Sequence, residues 1–90
     1  MASKRVIYRV KWDKEKGGWG LLIKDPSWTV PEICYPSHLK SKAEFVSYAA
    51  SEARDDHEES GDLIQLVVHN KNGRIAFERT YGKDPRRSKG

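Results

Sequence analysis

The stretch LIQLVVHNKNGRIAFERTY, residues 63–81, decides the fold of this 90-residue chain. Its first seven residues are rich in β-branched side chains, which favour a strand. Asn72-Gly73 then predicts a tight hairpin with a type I′ turn, in which both central residues have positive φ. Side chains alternate along the return strand, 74–81, so three apolar residues should share one face: Ile75, Phe77 and Tyr81. The stretch therefore predicts two antiparallel strands.

A second hairpin is predicted nearer the start of the chain. Apolar and polar residues alternate in RVIYRVKW (5–12), which is the pattern of a half-buried strand. After the polar turn DKEKGG (13–18), GWGLLIKD (18–25) forms the second strand. The next segment, 27–35, contains Pro31, which favours an edge strand or a broken one because proline cannot donate a backbone hydrogen bond.

One helix is predicted between the two hairpins. Ser41 and Glu44 have the spacing of a capping box, in which each side chain bonds a backbone amide of the other residue. The helix should end within 54–60, with Gly61 as its C-cap. The element order is therefore β-β-β-α-β-β. It indicates an α+β fold, an antiparallel sheet of about five strands with the helix packed on a single face.

Size and composition indicate a small protein of the cytoplasm. We expect residues 1–82 to form a single compact α+β domain and residues 83–90 to form a flexible basic tail. The chain has one cysteine, Cys34, so no internal disulfide can form, which favours a reducing compartment. No apolar run approaches the roughly 18 residues of a membrane span, so no membrane association is expected.

Charge is distributed unevenly along the chain. Residues 42–62 contain two basic and seven acidic side chains, a net charge of −5, and the rest of the chain carries +9. A flexible basic arm and a basic sheet face are both suited to contact nucleic-acid phosphates. The sequence therefore favours a non-enzymatic protein that associates with DNA or RNA with little base specificity. The candidate contacts are Arg5, Arg9, Lys11, Lys14, Lys16, Lys71, Arg74, Arg86 and Arg87.

A protein–protein adaptor or inhibitor is the alternative hypothesis. Such a protein would bind through an exposed edge strand or through residues 25–40. The aromatic and apolar anchors there would be Trp28, Ile33 and Tyr35. The protein could be a monomer or an edge-strand homodimer under either hypothesis. For Trp12 and Trp19, which fall on the apolar faces of two strands, core packing is favoured over base stacking.

No catalytic, metal or cofactor site is predicted. Cys34 and His38 are four residues apart, but the segment is extended and contains Pro36, so the spacing does not place them together. One cysteine and one histidine also make no complete metal site. His69, at the base of the predicted hairpin, is expected to hydrogen-bond the turn rather than to act in catalysis.

The chain also resembles a family of small bacterial proteins, domain of unknown function 2188. The resemblance is carried by the strand GGWGLLI (17–23), the helix start SKAEF (41–45) and the segment HNKNGRIAFERTYGKDP (69–85). The matching positions are Gly17, Gly18, Trp19, Ala43, Glu44, His69, Gly73, Arg74, Ile75, Tyr81, Gly82, Asp84 and Pro85. Residues 25–40 depart from the family pattern, since they are longer and more aromatic. The resemblance implies a bacterial or phage source and brings no established activity.

Overall fold

A computed structural model describes residues 4–36 and 38–82. The elements are β1 (Arg5–Asp13), β2 (Gly18–Lys24), β3 (Glu32–Cys34), α1 (Lys42–Ser60), β4 (Leu63–His69) and β5 (Ile75–Tyr81). The predicted element order is confirmed, and the proline-containing segment contributes only the three-residue β3, at an edge of the sheet. The predicted tail, 83–90, lies outside the described residues.

The five strands form one mixed sheet in the order β3-β2-β1-β4-β5. The α+β class is therefore correct, whereas a wholly antiparallel sheet is wrong, because β1 and β4 pair in parallel. The reason is the connection between them. The chain crosses the sheet through α1 and returns to the end from which β1 and β3 start, so β4 runs in their direction.

The core lies between the sheet and α1. Val6, Tyr8 and Val10 of β1 pair with Ile64, Leu66 and Val68 of β4, and all six side chains are buried. The helix contributes Phe45, Ala49 and Ala53, whose small or flat side chains let it approach the sheet closely. No helix in the described part of the chain is both long enough and apolar enough to cross a membrane.

The ends of α1 are capped as the sequence predicts. The Ser41 hydroxyl accepts a hydrogen bond from the Glu44 amide at 3.1 Å, and the Glu44 carboxylate accepts one from the Ser41 amide at 2.9 Å. The backbone amides of Lys40 and Ser41 both donate to the Glu44 carboxylate and hold the pKa of Glu44 below its usual range. At the other end, Gly61 has a φ of 77° and its amide bonds the carbonyl of His57 at 2.8 Å.

The hairpin between β4 and β5 differs from the prediction. Gly73 has a φ of 92°, but Asn72 does not have positive φ, so the turn is not type I′. The Gly73 amide bonds the Asn70 carbonyl, and the Asn70 amide bonds the Arg74 carbonyl, which is the pattern of a longer loop closed by a left-handed glycine.

A register shift next to this loop changes the face of one apolar residue. Val68 pairs with Phe77, whereas His69 pairs with Ile75, so one extra residue is accommodated in β5. Directly paired residues point to the same side of a sheet, so Ile75 lies on the face away from α1 and Phe77 on the face toward it. The prediction that Ile75 shares a face with Phe77 and Tyr81 is therefore wrong. Tyr81 packs against the core as expected.

Candidate functional site

The carboxyl ends of β1, β3 and β4 lie at the same end of the sheet, as their pairing requires. The turn after β1, the segment after β3 and the hairpin after β4 therefore meet there. Between them lies a groove of about 450 Å³. We call it the end groove and define it by Lys11, Trp12, Lys14, Leu22, Ile33, Tyr35 and Lys71, with Asp13, Glu15 and Gly20 also lining it.

The floor of the end groove is apolar and its position is fixed by strand register. Leu22 of β2 pairs with Ile33 of β3, so their side chains lie side by side on the face that α1 does not cover. Gly20 pairs with Lys11 on the same face. The Tyr35 ring occupies the space that a side chain at Gly20 would fill, because a Cβ there would lie 2.7 Å from Tyr35 Cε1.

A hydrogen bond fixes the other end of the Tyr35 ring. The Tyr35 hydroxyl donates to Asp13 Oδ2 at 2.7 Å, across 22 residues of sequence. This bond holds the pKa of Asp13 below its usual range, with help from the backbone amides of Lys16 and Glu15 on Asp13 Oδ1. The same bond raises the pKa of Tyr35. The ring is thus held between a carboxylate and a glycine backbone, although 37% of the residue's surface is exposed.

Lysines lie over the aromatic rings at this end of the molecule. The Lys71 ammonium is 4.3 Å from the Trp12 ring centroid, and the Lys16 ammonium is 4.4 Å from that of Tyr35. Both distances are typical of cation–π contacts. The two cations come from the β1–β2 turn and from the hairpin tip, so the contacts join segments that are distant in sequence.

The two tryptophans form one edge-to-face pair, with ring centroids 5.4 Å apart. Trp19 is 8% exposed and belongs to the core, as predicted. Trp12 pairs with Trp19, packs against the core and is also among the residues that line the end groove. Lys42 lies 5.7 Å from the Trp19 ring and donates to Asn70 Oδ1 at 2.7 Å. Lys42 was not among the predicted contacts, because the capping box predicts where the helix starts but not which sheet end it reaches.

The predicted cations of β1 are placed on the face that α1 leaves uncovered. Arg5, Arg9 and Lys11 alternate with the buried residues of that strand. This face is not uniformly basic, because Glu78 lies across it and accepts a hydrogen bond from Gln65 at 2.6 Å. Of the three β1 cations, Lys11 lines the end groove, whereas Arg5 lies at the opposite end of the strand.

His69 ties this face to the hairpin. The Arg9 guanidinium lies 3.1 Å from His69 Nε2, and His69 Nδ1 lies 3.0 Å from the Gly73 carbonyl oxygen. A guanidinium can only donate, so Nε2 accepts and the hydrogen on Nδ1 is donated to the carbonyl. The prediction that His69 hydrogen-bonds the turn is confirmed. The second bond of the ring, from Arg9 to Nε2, orients the Arg9 guanidinium.

The other predicted contacts are distributed as follows. Arg74 lies in the hairpin, where its amide bonds Asn72 Oδ1 at 3.0 Å, and Arg86 and Arg87 lie outside the described residues. Of the anchors proposed for a protein partner, Ile33 and Tyr35 line the end groove. Trp28 does not line it; it is 43% exposed in the turn after β2. Ile33 and Tyr35, proposed as anchors for a protein partner, therefore lie beside the lysines proposed to contact nucleic acid.

The residues with chemically reactive side chains are placed apart from the end groove. Cys34 is half-buried against the core, and this burial raises the pKa of its thiol. The His38 ring packs edge-on against Tyr48, with centroids 6.4 Å apart. Within residues 4–36 and 38–82, no group of three or more His, Cys, Asp or Glu side chains could hold a metal ion.

A scan against family models and searches of curated proteins and of solved structures find no match to this chain. The resemblance to domain of unknown function 2188 therefore stays a prediction.

Proposed function

We propose that this chain is a non-enzymatic binding protein of the cytoplasm that associates with DNA or RNA through the end groove. The observation that carries the proposal is that Lys11 and Lys14, from the end of β1 and the turn after it, meet Lys71 of the β4–β5 hairpin around a groove that is also lined by aromatic residues. Clustered cations beside aromatic rings are suited to contact both parts of a nucleic acid, its phosphates and its bases.

The groove lysines are available to phosphates. Among the described residues, an ion pair joins Lys4 to Asp25, and none involves Lys11, Lys14 or Lys71. Two of the predicted cations, Lys16 and Lys71, lie over aromatic rings, where their ammonium groups are held near the groove without being neutralised.

The opposite side of the molecule repels phosphates. The segment 42–62, which includes α1, carries a net charge of −5 and covers the other face of the sheet. Such a two-sided charge distribution orients an approaching polyanion toward the basic end and speeds its association. Arg5 and Arg9 extend the positive side along β1.

A salt titration tests the proposal. Binding to labelled mixed-sequence DNA and RNA should weaken steeply as salt rises, because each phosphate contact releases counterions. Replacing Lys11, Lys14 and Lys71 together by alanine should reduce the slope of log K against log salt by about 0.9 per lost contact on duplex DNA, or about 0.7 on a single strand.

Arg54→Ala is the matched control for each of the three lysine replacements made singly, since it removes one exposed positive charge from the acidic helix. It should leave the slope unchanged. Absence of binding at low salt would eliminate the proposal, and an equal effect of the control would show that only net charge matters.

A protein partner is a second candidate function, favoured by the exposure of β5. This edge strand is exposed from Ile75 to Thr80, and Ile75 and Phe77 expose 52% and 38% of their surface. An edge strand can add a strand from another protein or from a second copy of this chain. Phe77→Lys should then abolish a complex that survives nuclease treatment without weakening nucleic-acid binding. A complex that needs intact nucleic acid would contradict this candidate.

A further inference from the structure

We infer that the end groove selects single-stranded nucleic acid, with one unstacked base seated on its apolar floor and the flanking phosphates on its lysines. This inference rests on the proposed function and specifies its ligand.

A purely electrostatic contact with phosphates would not need the apolar floor of the end groove. Leu22 and Ile33 present apolar surface there, and Tyr35, which lies over Gly20 on the same face, adds aromatic surface. In a duplex the faces of the bases are covered by their neighbours in the stack, so a protein outside it reaches base edges and phosphates. An unstacked base exposes its whole face, and an aromatic side chain can stack on that face whatever the base.

The shape of the site favours the same ligand. Proteins that read a duplex insert a protruding helix or β-ribbon into its major groove. Here the functional end is concave, and its volume of about 450 Å³ lies within the range of sites that enclose small molecules. A base can therefore enter the end groove.

The aromatic surface is held in place before any ligand arrives. The Tyr35 ring is fixed by its bond to Asp13 and by its contact with Gly20, and Trp12 is fixed by its packing on Trp19. Rigid rings cost little conformational entropy on binding. Lys16 sits on the Tyr35 ring in the free protein, so a base that stacks on this ring replaces the ammonium group and leaves it free to contact the neighbouring phosphate.

The carboxylates of the site disfavour a second strand. Asp13 and Glu15 lie in the same groove wall as Lys14, on the β1–β2 turn. A single backbone can follow the lysines and avoid these carboxylates, whereas a duplex brings two rows of phosphates to the mouth of the groove. Like charges at close range then oppose binding.

The test compares ligands of equal length. Single-stranded DNA, single-stranded RNA, duplex DNA and an abasic single strand, each of about 12 nucleotides, are titrated at one low salt concentration and read by fluorescence anisotropy. We expect the single strands to bind about 5- to 150-fold more tightly than the abasic strand, the range that one stacked base contributes. The duplex should bind more weakly than the single strands.

Two variants separate stacking from charge. Tyr35→Ala should lower single-strand affinity by about 5- to 150-fold without changing the salt slope, because it removes an aromatic ring and no charge. Lys71→Ala should lower the slope by about 0.7. Circular dichroism verifies that both variants fold, as expected for exposed positions.

The failures of the two proposals are distinguishable. Duplex binding as tight as single-strand binding, equal binding of the abasic strand, or normal affinity in Tyr35→Ala overturns the inference and leaves the proposed function standing. Absence of binding to all four ligands overturns both. If the single strands do bind, comparing the affinities for DNA and RNA shows which of the two is preferred.

Discussion

Replacing Gly20 by alanine displaces one ring of the end groove without changing any charge. A Cβ at this position would lie 2.7 Å from Tyr35 Cε1 and 3.1 Å from Cδ1. Ordinary contacts start near 3.4 Å, so the ring must move by at least about 0.7 Å. Tyr35 is an exposed side chain and can move, so we expect the ring to leave its place rather than the strand to break.

The stability of the protein should change little. Alanine in a strand loses less backbone entropy on folding than glycine, which favours the variant by about 0.5–1 kcal/mol. The loss of the exposed Tyr35–Asp13 bond acts in the opposite direction. We therefore expect the free energy of unfolding to stay within about 1 kcal/mol of the wild-type value, as urea denaturation can measure.

Local titrations report whether the ring has moved. The Tyr35 hydroxyl is the main reason that the pKa of Asp13 is low, so this pKa should rise toward its ordinary value in Gly20→Ala. The pKa of Tyr35 should fall, because the Asp13 carboxylate that raises it no longer accepts a hydrogen bond from the Tyr35 hydroxyl. NMR titration of the two side chains measures both changes.

Binding should weaken more than stability. The ring is displaced and not removed, so we expect single-strand affinity to fall by about 5- to 10-fold, the lower part of the stacking range. Gly18→Ala is the matched control, since Gly18 lies in the same strand and a Cβ there meets no atom within 4 Å. If the titrations show that the ring has moved but affinity falls no further than in the control, the stacking role of Tyr35 is refuted.

Three further predictions concern the fold and are checked by urea denaturation. Ser41→Ala removes the side-chain acceptor at the start of α1 and should cost about 1 kcal/mol. Tyr8→Phe removes the hydrogen bond to Asp56 at 3.0 Å and should cost about 0.5–1.5 kcal/mol at neutral pH. Burial raises the pKa of Tyr8 in the folded state, so the wild type loses this stability as pH rises above 10.0, and its advantage over Tyr8→Phe should shrink there. Gly82→Ala should cost about 1–3 kcal/mol, because Gly82 has a φ of 117° and its Cβ would lie 3.0 Å from His57. An unchanged midpoint in any variant would contradict its prediction.

Features set by neighbouring residues were predictable from the sequence. The capping box of α1 depends on two side chains three residues apart, and both of its bonds are present. The alternation of β1 depends on a period of two, and it separates Arg9 from buried Val10 as expected. The predicted bond of His69 to the hairpin is likewise local, since it spans four residues.

Features set by distant residues were not predictable in this way. The type of the hairpin turn was misjudged because Asn72-Gly73 is compatible with several loop lengths, and the pairing of β4 with β5 selects one of them. The contact of Lys71 with Trp12 spans 59 positions, and neither segment contains a sequence pattern that predicts it. Tyr35 and the groove lysines were assigned to rival functions because the register that joins them is a property of the whole sheet.

The parallel pairing of β1 with β4 is the reason that the end groove exists. In this register Val10 lies beside Val68, so the hairpin after β4 lies beside the last residues of β1 and Lys71 reaches Trp12. If β4 ran antiparallel to β1, the tip would lie at the opposite end of the sheet, and Lys71 would be removed from Lys11 and Lys14. The acidic helix α1 reverses the direction of the chain between β3 and β4, and this reversal allows the parallel pairing. One connection thus covers the far face with negative charge and gathers positive charge at the end of the sheet, so the charge separation follows from the topology.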